Sequence, residues 1–448
     1  MQRKSVIEQQ LEQTQQELAE QRVELQLLKQ SSSYQLGHLL VNAMRSPRQL
    51  LSLPVALYRL FLVLRSARRP PQPDSVIYKK LQHEWSELAR DAREQKKPLV
   101  FLFSGTTFIQ GTRGNRPIRQ TQALLRRDVK VLFSYHRSNF TYPLPAYAHT
   151  GLVQVPQDVT LQLLSEIAEA ELADVPKLFI VSYPYPSIEK SIELFRLHGW
   201  RIIYDCRDDW EEFSKVGMAA WFNAEVEKQL VQECDATICV SGPLVTKMQS
   251  FAPKKPVLLV PNAVETDFLP EDYIHQPSLE PKIIGYVGHL AGAWFDWEAL
   301  IAIAKARPNY SFEIIGHSEP KQLQLPSNIN LLGPKPWNEL HRYVRRWSVG
   351  IIPFKMGPLA DGVDPIKIYE YFSFGLPVVS FTMPQIKEYP YTWTVDSVEG
   401  FCHALDQACI AELDPSVIEN FIALNTWDIR AAQLISFMSK DLEVESKF

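Results

Sequence analysis

The sequence predicts an α/β protein: two doubly wound parallel-sheet halves facing a cleft, with a helical, coiled-coil extension ahead of them. Three observations carry this. From residue 98 onward, short apolar runs alternate with longer amphipathic stretches; the alternation resets once near 264–281, where Asp267, Pro270, Pro277 and Pro281 interrupt it; and residues 1–73 follow a different pattern. The chain divides accordingly into 1–73, 74–265, 266–425 and a final segment 426–448.

The composition fits this reading. With 46% apolar and 22% charged residues and a net charge of -4 over 448 residues, the chain is neither a disordered polyanion nor a basic nucleic-acid binder. Its five cysteines are odd in number and contain no C-x-x-C pair, so they read as reduced core residues of a cytosolic protein rather than a disulfide or zinc framework.

In the extension, Ile7, Leu11, Thr14, Leu18, Gln21, Leu25 and Leu28 recur at alternating spacings of four and three, a seam that suits a homodimer through 7–28 or a single solvated helix. Residues 31–73 then hold six arginines and no acid, whereas 74–448 carry a net -9. Within them the run Leu50–Leu64 falls short of the roughly 20 apolar residues that a bilayer span needs. An apolar face flanked by arginines fits a helix lying on a membrane surface, and residues 34–69 are expected to serve that purpose. A helix packed on protein is the alternative. Arg68-Arg69-Pro70-Pro71-Gln72-Pro73 closes the segment as a stiff linker.

The first half offers strands at Leu99–Phe103, Val129–Ser134, Leu178–Val181, Arg201–Tyr204, Ala236–Val240 and Val257–Val260, with helices near 160–173, 187–198 and 219–233. The second offers strands at Ile283–Val287, Ser311–Ile315, Asn330–Leu332, Val349–Pro353 and Val378–Phe381, with helices near 295–306, 336–346, 364–374 and 397–411. Ligands of such sheets bind beyond the carboxyl ends of the strands, so the chemistry belongs in the loops there.

The most informative loop leads from Val349–Phe354 into Asp364-Pro365-Ile366-Lys367-Ile368-Tyr369-Glu370 and ends at Gly375-Leu376-Pro377-Val378-Val379. Asp364 is expected to cap a helix that starts with Pro365, and Gly375 to stop it. The helix N-terminus and Lys367 suit a phosphate, and Glu370, three residues on, suits the hydroxyls of a ribose. A surface ion pair is the other reading of Lys367 and Glu370. In the first half, Tyr204-Asp205-Cys206-Arg207-Asp208-Asp209 places three carboxylates at a strand end, and Asp208 and Asp209 are candidates for a base that takes a proton from an acceptor hydroxyl. Capping of the next helix or pairing with Arg207 would use the same groups structurally. The loop 104–117, with Gly105, Gly111, Gly114, Arg113 and Arg116, suits an anionic donor or acceptor, and His136 at another strand end suits the acceptor site. No D-x-D carboxylate pair occurs, so no metal or other cofactor is expected.

Residues 349–381 resemble the donor-binding signature of bacterial glycosyltransferases with the GT-B fold, of the family 4 type, with the form P-x-K-x-x-E-x-x-x-x-G-x-P-V-V. The resemblance runs from 98 to about 437 through Asp235-Ala236-Thr237-Ile238-Cys239-Val240-Ser241, Val260-Pro261-Asn262-Ala263-Val264, Ile284-Gly285-Tyr286-Val287-Gly288 and Thr426-Trp427-Asp428. It is closer to the group containing teichuronic-acid and xanthan glucuronosyltransferase-type enzymes. The resemblance implies that Lys367 contacts the donor diphosphate, Glu370 the ribose, Gly288 the phosphates and Gly316 the neighbourhood of the base. It also implies a final helix that crosses back onto the first half. Two departures stand out: Gly362 occupies the place of a second glutamate, and His289-Leu290-Ala291-Gly292 replaces the usual Arg and Lys after the loop glycine. The expected function is transfer of a sugar from a nucleotide diphosphate sugar to a lipid-linked or cell-surface polysaccharide acceptor, at the cytoplasmic face of the bacterial plasma membrane. The alternatives are a nucleotide-sugar epimerase of the same fold and a non-catalytic scaffold of a polysaccharide assembly complex.

Overall fold

Leu99–Phe103 is apolar at every position and buried on both faces, which only a strand covered by helices on each side can satisfy. It is β1 of a seven-stranded sheet. The others are β2 (Lys130–Tyr135), β3 (Leu152–Pro156), β4 (Lys177–Val181), β5 (Arg201–Cys206), β6 (Ala236–Cys239) and β7 (Val257–Leu259). All pairs are parallel and the order is β3-β2-β1-β4-β5-β6-β7. A six-stranded parallel sheet follows, formed by β8 (Lys282–His289), β9 (Tyr310–His317), β10 (Ile329–Gly333), β11 (Val349–Ile352), β12 (Val378–Phe381) and β13 (Thr392–Val395) in the order β10-β9-β8-β11-β12-β13. Each sheet reverses its winding beside its first strand, which opens a crevice at the carboxyl ends of β1 and β4 and of β8 and β11.

This computed structural model describes residues 76–109, 114–136, 147–265 and 269–438. The seam at 7–28, the basic segment 34–69 and Arg113 lie outside the described residues. The described residues form one compact unit.

The two strands that the sequence pattern does not announce, β3 and β13, both lie at sheet edges and are largely half-buried, so they lack a continuous apolar run. Several helices are likewise unannounced, two of them next to the site or the core that supports it. Val76–Glu94 buries Tyr78, Trp85, Leu88, Ala89 and Ala92 in the first-half core. Arg116–Arg126 begins inside the stretch expected to be a loop, with the Asn115 side chain accepting from the Ile118 N–H at 3.4 Å and Pro117 in its first turn. The helix expected at 187–198 is instead a 3-10 turn, Glu189–Ser191, running into Ile192–Leu197.

The C-terminal helix Trp427–Ser436 packs on Arg116–Arg126 of the first half. Trp427, Ala431 and Leu434 share a buried cluster with Ile118, Leu124 and Leu125. Thr426 caps this helix by accepting from the Ile429 N–H at 3.2 Å, and Arg126 meets Asp428 at 3.3 Å. Arg430 donates to the carbonyls of Pro261 and Asn262 at 2.9 and 3.3 Å, tying the helix to the segment that joins the two halves. Among the described residues no helix is long and apolar enough to cross a membrane.

Candidate functional site

The carboxyl ends of the two sheets enclose a cleft of about 420 Å³ lined from both halves. Gly114, Asn115, Arg116, Arg207, Asp208 and Asn262 come from the first, and Gly288, Asp364, Lys367 and Glu370 from the second.

On the second-half wall, Gly288 is the penultimate residue of β8, and its φ of 150° lies in the region that side chains avoid. A Cβ there would stand 2.8 Å from the Tyr286 hydroxyl and 3.2 Å from Lys367 Cε, so glycine leaves room for the lysine. Gly316 is not on the cleft surface. Its Cβ would fall 2.0 Å from the Gly288 carbonyl oxygen, so its smallness lets the ends of β8 and β9 close together. The helix Ile366–Ser373 starts here. Lys367 Nζ lies 4.6 Å from the Phe354 ring centroid and 5.5 Å from that of Tyr286. Removal of water by these walls pulls the lysine down to about 8, with Glu370 opposing that shift. Glu370 is half-buried and accepts from Trp337 Nε1 at 3.4 Å, and Arg119 lies 4.7 Å over the Trp337 ring. Burial raises the Glu370 carboxyl, against the pull of Arg119, Trp337 and Lys367.

Asp364 does not cap this helix. Pro365 occupies the cap position without a side-chain hydrogen bond, and the Asp364 carboxylate is taken by three donors: the Asn262 N–H at 2.6 Å and the hydroxyls of Tyr369 and Tyr389. Its backbone carbonyl accepts from Asn262 Nδ2 at 2.6 Å. The residue therefore joins the two halves. Burial raises it to about 6 despite those donors. Gly362, in the place of the second glutamate, has its carbonyl bonded by Ser241 Oγ at 2.9 Å, and a Cβ there would stand 3.3 Å from Asp209 Cβ. There is little room for a longer side chain.

On the first-half wall, the three carboxylates at the end of β5 separate by surroundings. Asp205 is 0% exposed and receives Arg116 Nε at 2.9 and 3.1 Å and Gln120 Nε2 at 3.2 Å. Asp209 accepts from the Glu212 N–H at 3.2 Å, capping Trp210–Lys215, and pairs with Lys247 at 2.7 Å. Of the three, Asp208 lines the cleft, 3.5 Å from Arg207 Nε. Desolvation raises it to about 6, against the attraction of Arg207.

Of the other expected residues that are described, Gly105 and His136 do not line the cleft. Gly105 turns with φ 60°, and a Cβ would meet the Tyr183 ring at 2.4 Å, so the turn packs on an aromatic wall. The Nδ1 of His136 is 2.8 Å from Gln157 Oε1, and its ring meets Tyr183 and Tyr185 edge-on. Among the described residues no group of three or more His, Cys, Asp or Glu side chains is placed to hold a metal ion.

Residues 281–409, which contribute Gly288, Asp364, Lys367 and Glu370 to the cleft, match the family Glycosyl transferases group 1. The second half thus resembles a group 1 glycosyltransferase domain. The whole architecture is that of GT-B glycosyltransferases. The sucrose-phosphate synthase of Thermosynechococcus elongatus superposes with a TM-score of 0.55 at 16% identity, covering 75% of this chain and 97% of that one. The α,α-trehalose 6-phosphate synthase of Burkholderia multivorans gives 0.53 at 13% identity, covering 76% and 98%. In sequence, this chain is 26% identical over 229 residues to TuaH of Bacillus subtilis (strain 168), which is named for teichuronic acid biosynthesis glycosyltransfer. That alignment takes in 46% of this chain and spans 57% of the relative's length.

Proposed function

We propose that this protein transfers a sugar from a nucleotide diphosphate sugar to a hydroxyl of a lipid-linked or cell-surface polysaccharide acceptor. One observation carries the reading: Lys367 and Glu370 of the group 1 domain face Asp208 of the first half across a single cleft. Lys367 and the N-terminus of its helix hold the diphosphate, Glu370 accepts from the ribose hydroxyls, and Gly288 allows the backbone to approach the phosphates. Gly316 keeps the adjoining strand end close. Asp208, held near 6, accepts the proton of the acceptor hydroxyl as it attacks, and Asp209 keeps the turn in place by capping the next helix. The bond from the anomeric carbon to the diphosphate breaks as the new glycosidic bond forms, and the nucleoside diphosphate leaves.

The likeness to TuaH supports a surface polysaccharide as the acceptor, and no metal or other cofactor is invoked. Attachment of residues 34–69 to the cytoplasmic membrane face and pairing of two copies through 7–28 complete the proposal. Incubation of the full chain with a panel of nucleotide sugars and a bacterial lipid-linked glycan extract, read by mass spectrometry, tests it. A glycosylated acceptor together with released nucleoside diphosphate is the expected result. An isomerised sugar released without an acceptor, or no turnover of any donor, would overturn it. Deletion of residues 1–73 is expected to abolish recovery with membranes, and unchanged recovery would remove the anchor from the account.

A further inference from the structure

The second-half wall offers one full positive charge to a diphosphate, Lys367, whereas a diphosphate presents several anionic oxygens. The first half supplies two guanidinium groups to the same cleft, Arg116 and Arg207. Arg116 is only 3% exposed. Its Nε is committed to Asp205 and its Nη1 to the Pro261 carbonyl and the Asn262 side chain, at 3.2 and 3.3 Å. Its Nη2 has no hydrogen-bond partner. Arg207 has a side chain only 11% exposed, its Cζ lies 5.2 Å over the Trp210 ring, and its Nε is buried 3.5 Å from Asp208 Oδ2 without a hydrogen bond. A buried guanidinium N–H left without a hydrogen bond is costly, so the open Nη2 of Arg116, in the same cleft as Arg207, marks a place where an acceptor belongs. Arg116 also opens the helix Arg116–Arg126, and the preceding Gly114 and Asn115 line the cleft as well. The N-terminus of this helix therefore adds partial positive charge on the same side.

Resting on the donor-site reading above, we infer that the donor diphosphate is bound across the cleft, with Arg116 and Arg207 of the first half donating to its oxygens opposite Lys367 of the group 1 domain. This arrangement supplies cations from the first half where His289-Leu290-Ala291-Gly292 leaves the second half without them. It also gives the diphosphate a mechanical role, since a ligand bonded to both walls holds them at the spacing that transfer requires.

Calorimetric titration of the full chain tests this. The probe is whichever of UDP, GDP and ADP the wild type binds most tightly, with its parent nucleoside as reference. Arg207→Gln and Arg116→Lys, which keeps a charge beside Asp205 but lacks Nη2, are each expected to weaken the diphosphate roughly tenfold and leave the nucleoside unchanged. A melting scan reports whether Arg116→Lys is folded, and if it is not, Arg207→Gln decides. Unchanged diphosphate affinity in the folded variants, with loss in Lys367→Ala, would overturn the inference and leave the donor site standing. No binding of any diphosphate by the wild type would overturn both.

Discussion

The two walls of the cleft are built from the same parts, a strand end, a turn and a helix N-terminus, yet they carry their charges differently. On the first-half wall each of the three aspartates at the end of β5 has a basic partner from elsewhere or alongside: Asp205 with Arg116, Asp208 with Arg207, Asp209 with Lys247. On the second-half wall Lys367 rests over ring faces and Glu370 takes one hydrogen bond from Trp337. The first wall is a frame whose charges hold the fold as well as the site. The second is a pair of side chains on one helix, open to a ligand.

Substitutions separate these roles. The largest effect on stability is expected from Arg116→Ala, which leaves Asp205 buried without its cation and costs about 3–5 kcal/mol in urea unfolding of the full chain. Lys367→Ala removes a desolvated charge with no ion pair to break and is expected to change stability by less than about 1 kcal/mol. Equal losses would erase the contrast. Next comes chemistry: Asp208→Asn is expected to lower turnover by about 10²–10⁴-fold. Because burial lifts Asp208 to about 6 and the ionised form is the base, wild-type kcat/KM should rise as pH increases through about 6. A profile flat across that window would remove Asp208 from the role.

A smaller effect concerns stability against pH. Asp208 and Asp364 are both raised in the folded state, to about 6, above the ordinary value of about 3.9 for an unfolded chain. The folded protein therefore binds these protons more tightly, and the contribution is complete below about pH 4 and lost as pH rises to about 6. Melting temperatures across this window should show a shallower fall in Asp208→Asn than in wild type. A modest loss is expected from Asp209→Ala, about 1 kcal/mol from the lost helix cap and the Lys247 pair, measured by urea unfolding of the full chain.

The same contrast explains what the sequence reveals. Lys367 and Glu370 are legible because their signals are local: helical spacing, a proline at the start and a glycine at the end. The fold class is legible for a similar reason, since β1, β4 and β12 are short runs buried throughout and apolar except for Lys177 and Ser380. Edge strands β3 and β13, half-buried, lack that run. The roles of Asp205, Asp208 and Asp209 are not separable from their spacing, because each is decided by a partner. Asp205 meets Arg116 from 89 positions away, and Asp209 meets Lys247 from 38. Asp364 looks like a helix cap in sequence because the Asn262 amide and the tyrosine hydroxyls that claim it come from other segments or from further along the helix. Arg116 is visible in the sequence as a loop arginine. Its unfilled Nη2 is visible only once Asp205, Pro261 and Asn262 have taken its other nitrogens.

The most direct test of a cleft that binds the donor from one wall and activates the acceptor from the other is donor affinity measured beside turnover in Lys367→Ala and Asp208→Asn. Lys367→Ala is expected to lose donor affinity, and Asp208→Asn to bind the donor as wild type does while transferring its sugar far more slowly. If Lys367→Ala bound the donor like wild type, or if Asp208→Asn turned it over at the wild-type rate, the assignment of the two walls would be contradicted.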